Sequence, residues 1–254
     1  MNRISLKRFY ILLLPIFIFL LHLPFVFARP LNKEVLHKTS ETTVAKVADF
    51  HANTVSAAII YDSMSLDKLG LSKDAFTYAV EGFNYLLSSG KLKNDRILSI
   101  VDFSLPSSKK RLFVIDMENW KVLFNTYVSH GRNSGKEYAR QFSNSPESFK
   151  SSLGFYITKG TYNGQHGYSL QLEGEEKGIN DNALSRAIVM HSADYVNENI
   201  VKIQGYVGRS LGCPALPEKL TKSIIETIKD GSCLFMFSPN SNYISKSQIL
   251  QLAS

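Results

Sequence analysis

At 254 residues, 44% apolar and 20% charged, the chain is long enough for one large domain or two small ones, and its composition is not that of a disordered protein. Its two cysteines, Cys213 and Cys233, exclude a disulfide framework and a four-cysteine zinc site. The formal charge of +7 includes Arg3, Lys7 and Arg8; without these three the balance is a mild +4 of scattered cations. That gives no footing for a nucleic-acid partner and only weak attraction to an anionic envelope surface.

The first predicted element is an address. MNRISLKR is basic, and Phe9 to Ala28 then runs without a formal charge, with Pro24 to break an apolar helix and small side chains at Val26 and Ala28. This pattern predicts a secretory signal over 1–28, cleaved after Ala28. Twenty apolar-dominated residues also suffice to span a bilayer, so an uncleaved anchor is the alternative, and the sole membrane contact expected. Either way the remainder is exported, to the periplasm or cell envelope. Residues 29–92 then read as a lead-in and helical appendage. Within it, Phe76, Ala79, Val80, Phe83, Leu86 and Leu87 recur on one face of a helix over about 72–89, with Ser72 as N-cap and Gly90 as the stop.

From Lys93 the pattern changes to strands. RILSIVDF (96–103), RLFVID (111–116) and KVLFNTYVS (121–129) are apolar runs separated by turn residues, the last two joined as a hairpin at 117–120. Strands at 154–158, 168–172, 186–192 and 232–237 follow, with a helix over about 217–230 whose Leu220, Ile224, Ile225 and Ile228 face inward. Residues 93–240 are therefore a β-rich α+β domain, and 241–254 a C-terminal tail. The serine-rich segment 141–154 reads either as plain surface loop or as the flap or rim of a groove.

The chemistry gathers around GRSLGCPAL (208–216). His191 closes a strand, and Cys213 lies twenty-two residues later in a turn punctuated by Gly and Pro. A free thiol is mostly protonated at neutral pH, so a nearby imidazole is needed to take its proton. Arg209 would add positive potential, Gly212 would let substrate approach the backbone, and N–H groups of the turn would face an oxyanion. Such spacing alone is weak evidence. Cys233, within SCLFMF, reads as a buried apolar residue, although a Cys213–Cys233 disulfide is compatible with an oxidising compartment. His130 and His166 are possible groove residues or ordinary loop histidines. A zinc site from His130, His166, His191 and Cys213 has the residue types but none of the usual short ligand spacings.

The ordered set VSHGRNSG, FSNSPES, SSLGFYITKGTYNGQHGYSL, NDNALSRAIVMHS and GYVGRSLGCPAL resembles the exported murein L,D-transpeptidases with a YkuD-type catalytic domain, in the subgroup with a GRSxGCPA turn. The likeness covers roughly Leu66 to Phe237. It implies a YkuD-like mixed β-sandwich and a cysteine acyltransferase acting on peptidoglycan stem peptides, without metal or organic cofactor. Cys213 would be the nucleophile and His191 the base. Ser210, Gly212, Arg209 and Ser192 would serve substrate or oxyanion. Transfer to a second stem would give 3→3 cross-links, and transfer to water an L,D-carboxypeptidase.

The chain departs from the wider family at two places. Leu211 stands where a histidine is usual, and Ala215 where arginine commonly follows the cysteine by two residues. Two other readings are weighed against catalysis by this pair. One is a non-catalytic peptidoglycan-binding module on the same scaffold. The other is a sortase-like transpeptidase, which calls for a threonine-rich strand and a downstream arginine that GRSLGCPAL lacks. Nothing in the sequence fixes an oligomeric state.

Overall fold

The computed structural model describes residues 57–253, all within one compact unit, Ala45–Ser254. The leader expected at 1–28 and the lead-in up to residue 56 lie outside the described residues. Among those described, no helix is long and apolar enough to cross a membrane.

After a helical segment at 57–63 come α1 (Leu66–Leu69) and the longer α2 (Lys73–Ser88). The Ser72 side chain accepts a hydrogen bond from the Ala75 N–H, which satisfies an orphan donor of the first turn of α2, as the sequence predicts. Five of the six predicted inward positions are buried; Leu87 is 39% exposed, on the rim of a cleft shared with Trp120. The helix packs on the sheet because of Gly82, where a Cβ would lie 2.0 Å from the Phe155 ring. Phe155 in turn stacks on Phe235 at 4.1 Å, so helix and sheet share one core.

Eight strands form a mixed sheet: β1 (Ile97–Asp102), β2 (Leu112–Asp116), β3 (Lys121–Thr126), β4 (Gly154–Gly164), β5 (Gly167–Gly174), β6 (Val189–Ala193), β7 (Ala215–Pro217) and β8 (Cys233–Phe237). Their order is β3-β2-β1-β8-β4-β5-β6-β7. β1 and β8 are parallel, as are β6 and β7; the other neighbours are antiparallel. The chain leaving β3 then reaches the opposite edge. The Ser129 N–H donates to the Ala215 carbonyl at 2.9 Å, and Gly131 bridges Ser210 in parallel, so the sheet rolls nearly shut. The closure seam is where the glycine-punctuated turn of 208–213 lies.

The predicted strands appear in place, as do the β2–β3 hairpin and a helix, α4 (Glu218–Ile228), that buries Ile224, Ile225 and Ile228. Two short elements were not expected: β7, and α3 (Glu198–Gln204), which buries none of its residues and so lacks an apolar stripe to read. The C-terminal tail forms α5 (Ser241–Lys246) and α6 (Gln248–Ala253). Both helices are tied down by Glu176, a buried carboxylate that accepts from the Phe155 N–H at 2.9 Å, from Tyr243 Oη at 3.1 Å and from Ser247 Oγ. Burial pushes the Glu176 carboxyl above its ordinary range, and these three donors oppose the shift. Replacing Tyr243 with Phe removes one donor from a buried carboxylate and should lower stability by about 1–3 kcal/mol. A shift of the urea midpoint at unchanged slope tests this; an unshifted midpoint would show that the carboxylate does not depend on Tyr243.

Candidate active site

The turn carrying Cys213 is built from both sides of the seam. Ser210 Oγ donates to the Cys213 carbonyl at 2.6 Å and accepts from the Gly212 N–H at 3.1 Å, so a single hydroxyl closes the turn. Ser129, from the strand that closes the sheet, reaches the same carbonyl at 3.4 Å and takes the Ala215 N–H at 3.1 Å. Ser151 links Gly131 N–H to the Gly212 carbonyl, both at 3.0 Å. Gly212 has φ +129°, and a Cβ there would press to 3.0 Å on the Lys150 carbonyl. Glycine is required by the backbone and by the space.

The β6–β7 ladder pairs His191 with Ala215. Cys213, two residues before Ala215, thus lies beside Val189, two residues before His191. The Val189 N–H points at Cys213 Sγ at 3.4 Å, and the thiol lies 3.7 Å from the Ala187 carbonyl. The predicted thiol and imidazole therefore stand on neighbouring chain segments, roughly 7 Å apart along the strand direction. Among the described residues no hydrogen bond joins them. His191 is nearly buried, and its Nδ1 lies 2.7 Å from the Ser192 carbonyl. That carbonyl can only accept, so the proton sits on Nδ1 and Nε2 is left with a free lone pair.

Burial disfavours the charged form of both groups. Burial pushes the Cys213 thiol up, opposed by the Val189 N–H and by the charge of Arg186. Burial also pushes His191 down; its bond to Ser192 opposes this, and His166 adds to it. Burial raises Tyr195 to about 12, with Cys213 as the next contributor.

Arg186 is the cation whose charge bears on Cys213, and it holds the serine-rich segment as well. Its Nη1 donates to the Ser143 carbonyl at 2.8 Å and Ser152 Oγ at 2.6 Å, and its Nη2 to the Lys150 carbonyl at 2.7 Å and Ser148 Oγ at 3.2 Å. The segment 141–154 is thus a wall of the site fastened by one guanidinium. Its serines supply oxygen acceptors rather than a mobile surface. Sequence reasoning missed Arg186, Ser129 and Ser151, which act on residues 20 to 86 positions away. Their only signal lay in the motifs SRAIVMHS, YVSHG and FKSSLG.

The remaining expected residues divide. Arg209 is exposed, donates to the Gly135 carbonyl at 3.4 Å and lies over Tyr206, on the outer side of the turn. The Gly212 N–H, expected among oxyanion donors, is taken by Ser210. Ser192 Oγ donates to the His166 carbonyl at 3.3 Å, and the exposed His166 ring, on the β4–β5 hairpin, stacks on His191 at 4.3 Å. His130 does not line a groove: it is fully buried, Nε2 donates to the Gly135 carbonyl at 3.2 Å, and Nδ1 accepts from Arg111 at 2.7 Å. Burial first, then Arg111, lowers His130 to about 3.

That placement separates His130 from His166, His191 and Cys213, and no group of three or more metal-ligating side chains among the described residues could hold an ion. Both cysteines are free, with Cys233 fully buried in β8.

Fold and site together define a β-rich domain that carries a thiol and an imidazole on adjoining segments of a nearly closed sheet. A family model described as the L,D-transpeptidase catalytic domain matches residues 67–237, and the chain belongs to that family. No curated protein matches the chain in sequence. Among solved structures, it is similar to an L,D-transpeptidase from Mycobacterium smegmatis at 14% identity and TM-score 0.35, covering 56% of this chain and 59% of that one. For L,D-transpeptidase 3 from Mycobacterium tuberculosis the values are 11% and 0.35, with 56% and 61% covered. For an L,D-transpeptidase from Stackebrandtia nassauensis they are 14% and 0.35, with 66% and 68% covered. This chain thus spans less than two-thirds of the length of the two mycobacterial proteins.

Arg186→Gln should raise the apparent pKa for alkylation of Cys213 by iodoacetamide, because a cation that favours thiolate is lost, while Arg186→Lys should restore part of the shift. Rates measured from pH 6 to 10 test this. Superimposable profiles for wild type and Arg186→Gln would show that the guanidinium acts on the wall alone.

Proposed function

We propose that the chain is an exported cysteine acyltransferase of peptidoglycan stem peptides, with Cys213 as nucleophile and His191 as general base. The observation that supports this most directly is the tautomer of His191. The Ser192 carbonyl holds the proton on Nδ1, so Nε2 is the basic nitrogen, and it belongs to a strand whose next N–H inward already meets Cys213 Sγ. The depressed basicity of His191 keeps it unprotonated at neutral pH, ready to accept.

In the reaction the thiol leaves the Ala187 carbonyl and passes its proton to His191 Nε2 as sulfur attacks the carbonyl that joins the L-centre of the third stem residue, such as diaminopimelate, to the terminal D-alanine. Because burial disfavours charge on both groups, charge develops chiefly during attack, where the turn can stabilise it. The Cys213 N–H makes no hydrogen bond among the described residues, so it is free to meet the oxyanion. Ser151 Oγ donates to the Gly212 carbonyl at 3.0 Å on the other side of that peptide, which holds the direction of the N–H. The C–N bond breaks, His191 returns its proton to the departing amine of D-alanine, and a Cys213 thioester remains. The side-chain amine of a second stem then attacks, gives its proton to His191 and releases the thiol, forming a 3→3 cross-link. Water in place of the amine gives L,D-carboxypeptidase activity.

Cys213→Ala should abolish D-alanine release from a disaccharide-tetrapeptide, with the far-ultraviolet dichroism and melting temperature kept within a few degrees. Wild type exposed to a carbapenem should gain one covalent adduct on Cys213 by mass spectrometry. Turnover by Cys213→Ala, or an unmodified thiol in active enzyme, would overturn the assignment. A protein that binds muropeptide equally with and without Cys213 and turns none over would be a binding module instead.

A further inference from the structure

Beside the proposed nucleophile turn lie three cations that meet no carboxylate among the described residues. Lys91, Arg96, Lys159, Lys202 and Lys229 are each paired with a carboxylate. Arg132, Lys136 and Arg209 are exposed, and among the described residues none of them is paired with one. Aromatic rings hold them instead. The Arg132 guanidinium lies 4.2 Å from the Phe149 ring centre, while Lys136 Nζ and the Arg209 guanidinium lie 5.4 and 6.0 Å from the same Tyr206 ring. A ring beneath a cation holds its position while leaving its hydrogen-bonding edge to an incoming anion. Two cations on one ring repel each other, and a bound anion would relieve that repulsion. The acid of the same loop, Glu137, is engaged by Ser108 at 3.3 Å.

These cations are joined to the turn by the backbone. The Arg132 N–H donates to the Ser210 carbonyl at 2.8 Å, Asn133 N–H to the Phe149 carbonyl at 3.1 Å, and Arg209 precedes Cys213 by four residues. Ala215, where the wider family commonly carries arginine, is fully buried in the β6–β7 ladder and offers no charge to substrate.

We infer that Arg132, Lys136 and Arg209 form a carboxylate-binding rim that holds a free carboxylate of the donor stem peptide while Cys213 attacks it. This rests on the acyltransferase reading above and assigns donor selection to the outer side of the turn.

The test is steady-state release of D-alanine by the full chain from two disaccharide-tetrapeptides, one with free and one with amidated stem carboxylates. Wild type should favour the free form by about tenfold in KM, the scale of one charge-assisted hydrogen bond. Lys136→Gln and Arg209→Gln should each reduce that preference and flatten the rise of KM with salt. Arg209→Lys should keep most of the preference, and Lys91→Gln, on a remote ion pair, should keep all of it. Iodoacetamide labelling of Cys213 at the wild-type rate shows that the turn is intact in each variant.

Equal KM for both substrates in wild type, or a preference unchanged in Lys136→Gln and Arg209→Gln, overturns the rim while leaving the nucleophile assignment standing. Absence of Cys213-dependent turnover with either substrate overturns the acyltransferase reading, and the rim falls with it.

Discussion

The structure depends on one peptide carbonyl, that of Cys213, held by two serine hydroxyls from opposite directions. Ser210 reaches it from within the turn and Ser129 from the strand that closes the sheet. A carbonyl buried at the mouth of a reaction site without partners would cost about 1–3 kcal/mol, and it would be free to rotate. The preceding peptide, Gly212–Cys213, carries the Cys213 N–H and is held through the Gly212 carbonyl by Ser151. Serine hydroxyls thus hold the peptides on both sides of the Cys213 side chain, and with them the proposed nucleophile and the proposed oxyanion donor. The segment that follows β3 meets this turn and the start of β7 through the backbone as well, Ser129 N–H donating to the Ala215 carbonyl and Ser210 N–H to the His130 carbonyl. Closure of the fold and construction of the site are one set of hydrogen bonds.

The electrostatics follow from how deep this seam lies. Burial raises the thiol and lowers the imidazole, which favours the uncharged pair over thiolate–imidazolium. A standing ion pair would need continuous compensation at this depth. Arg186, the cation whose charge favours the thiolate, is itself held by four oxygens of the serine-rich wall. The buried Arg111 shows the same use of carbonyl and imidazole acceptors in place of a carboxylate: it binds Val128, Leu105 and His130, and burial lowers it to about 9. Among the described residues no carboxylate contributes to the shift of the Cys213 thiol, which a nearby carboxylate would raise further.

The sequence makes the scaffold legible where the signal is periodic. The face of α2, the apolar runs of β1, β2 and β8, and the inward stripe of α4 depend on local spacing, and each burial pattern reflects it. β7 was hidden because three residues after a proline carry no period, and its pairing with β6 is purely tertiary. Cys213 and His191 stood out by residue type and by the glycine- and proline-punctuated turn, and the β6–β7 ladder brings their segments side by side. The serines did not stand out, because a serine in a polar loop has the composition of plain surface whatever its hydroxyl binds. His130 misled in the opposite sense. A histidine before glycine at a strand end reads as a loop residue, yet sheet closure turns it inward onto Arg111.

The departure at Ala215 is the step that connects these points. Its position is set opposite His191 in a parallel ladder and is fully buried, in a small apolar cluster with Ala193, Val196 and Val207. An arginine there would have to bring a guanidinium into that cluster or displace the ladder that sets the spacing of thiol and imidazole, and desolvating an unpaired charge is strongly unfavourable. Alanine keeps the ladder intact. Two sets of cations near the turn then differ in what they meet: Arg186 is saturated by the serine-rich wall, while Arg132, Lys136 and Arg209 meet no carboxylate among the described residues. The first has its hydrogen-bonding edge filled by protein oxygens and can act on Cys213 only through its field. The second has that edge open to solvent and ligand. With alanine at position 215, the cation whose charge bears on Cys213 and the cations open to solvent stand on separate segments of the chain.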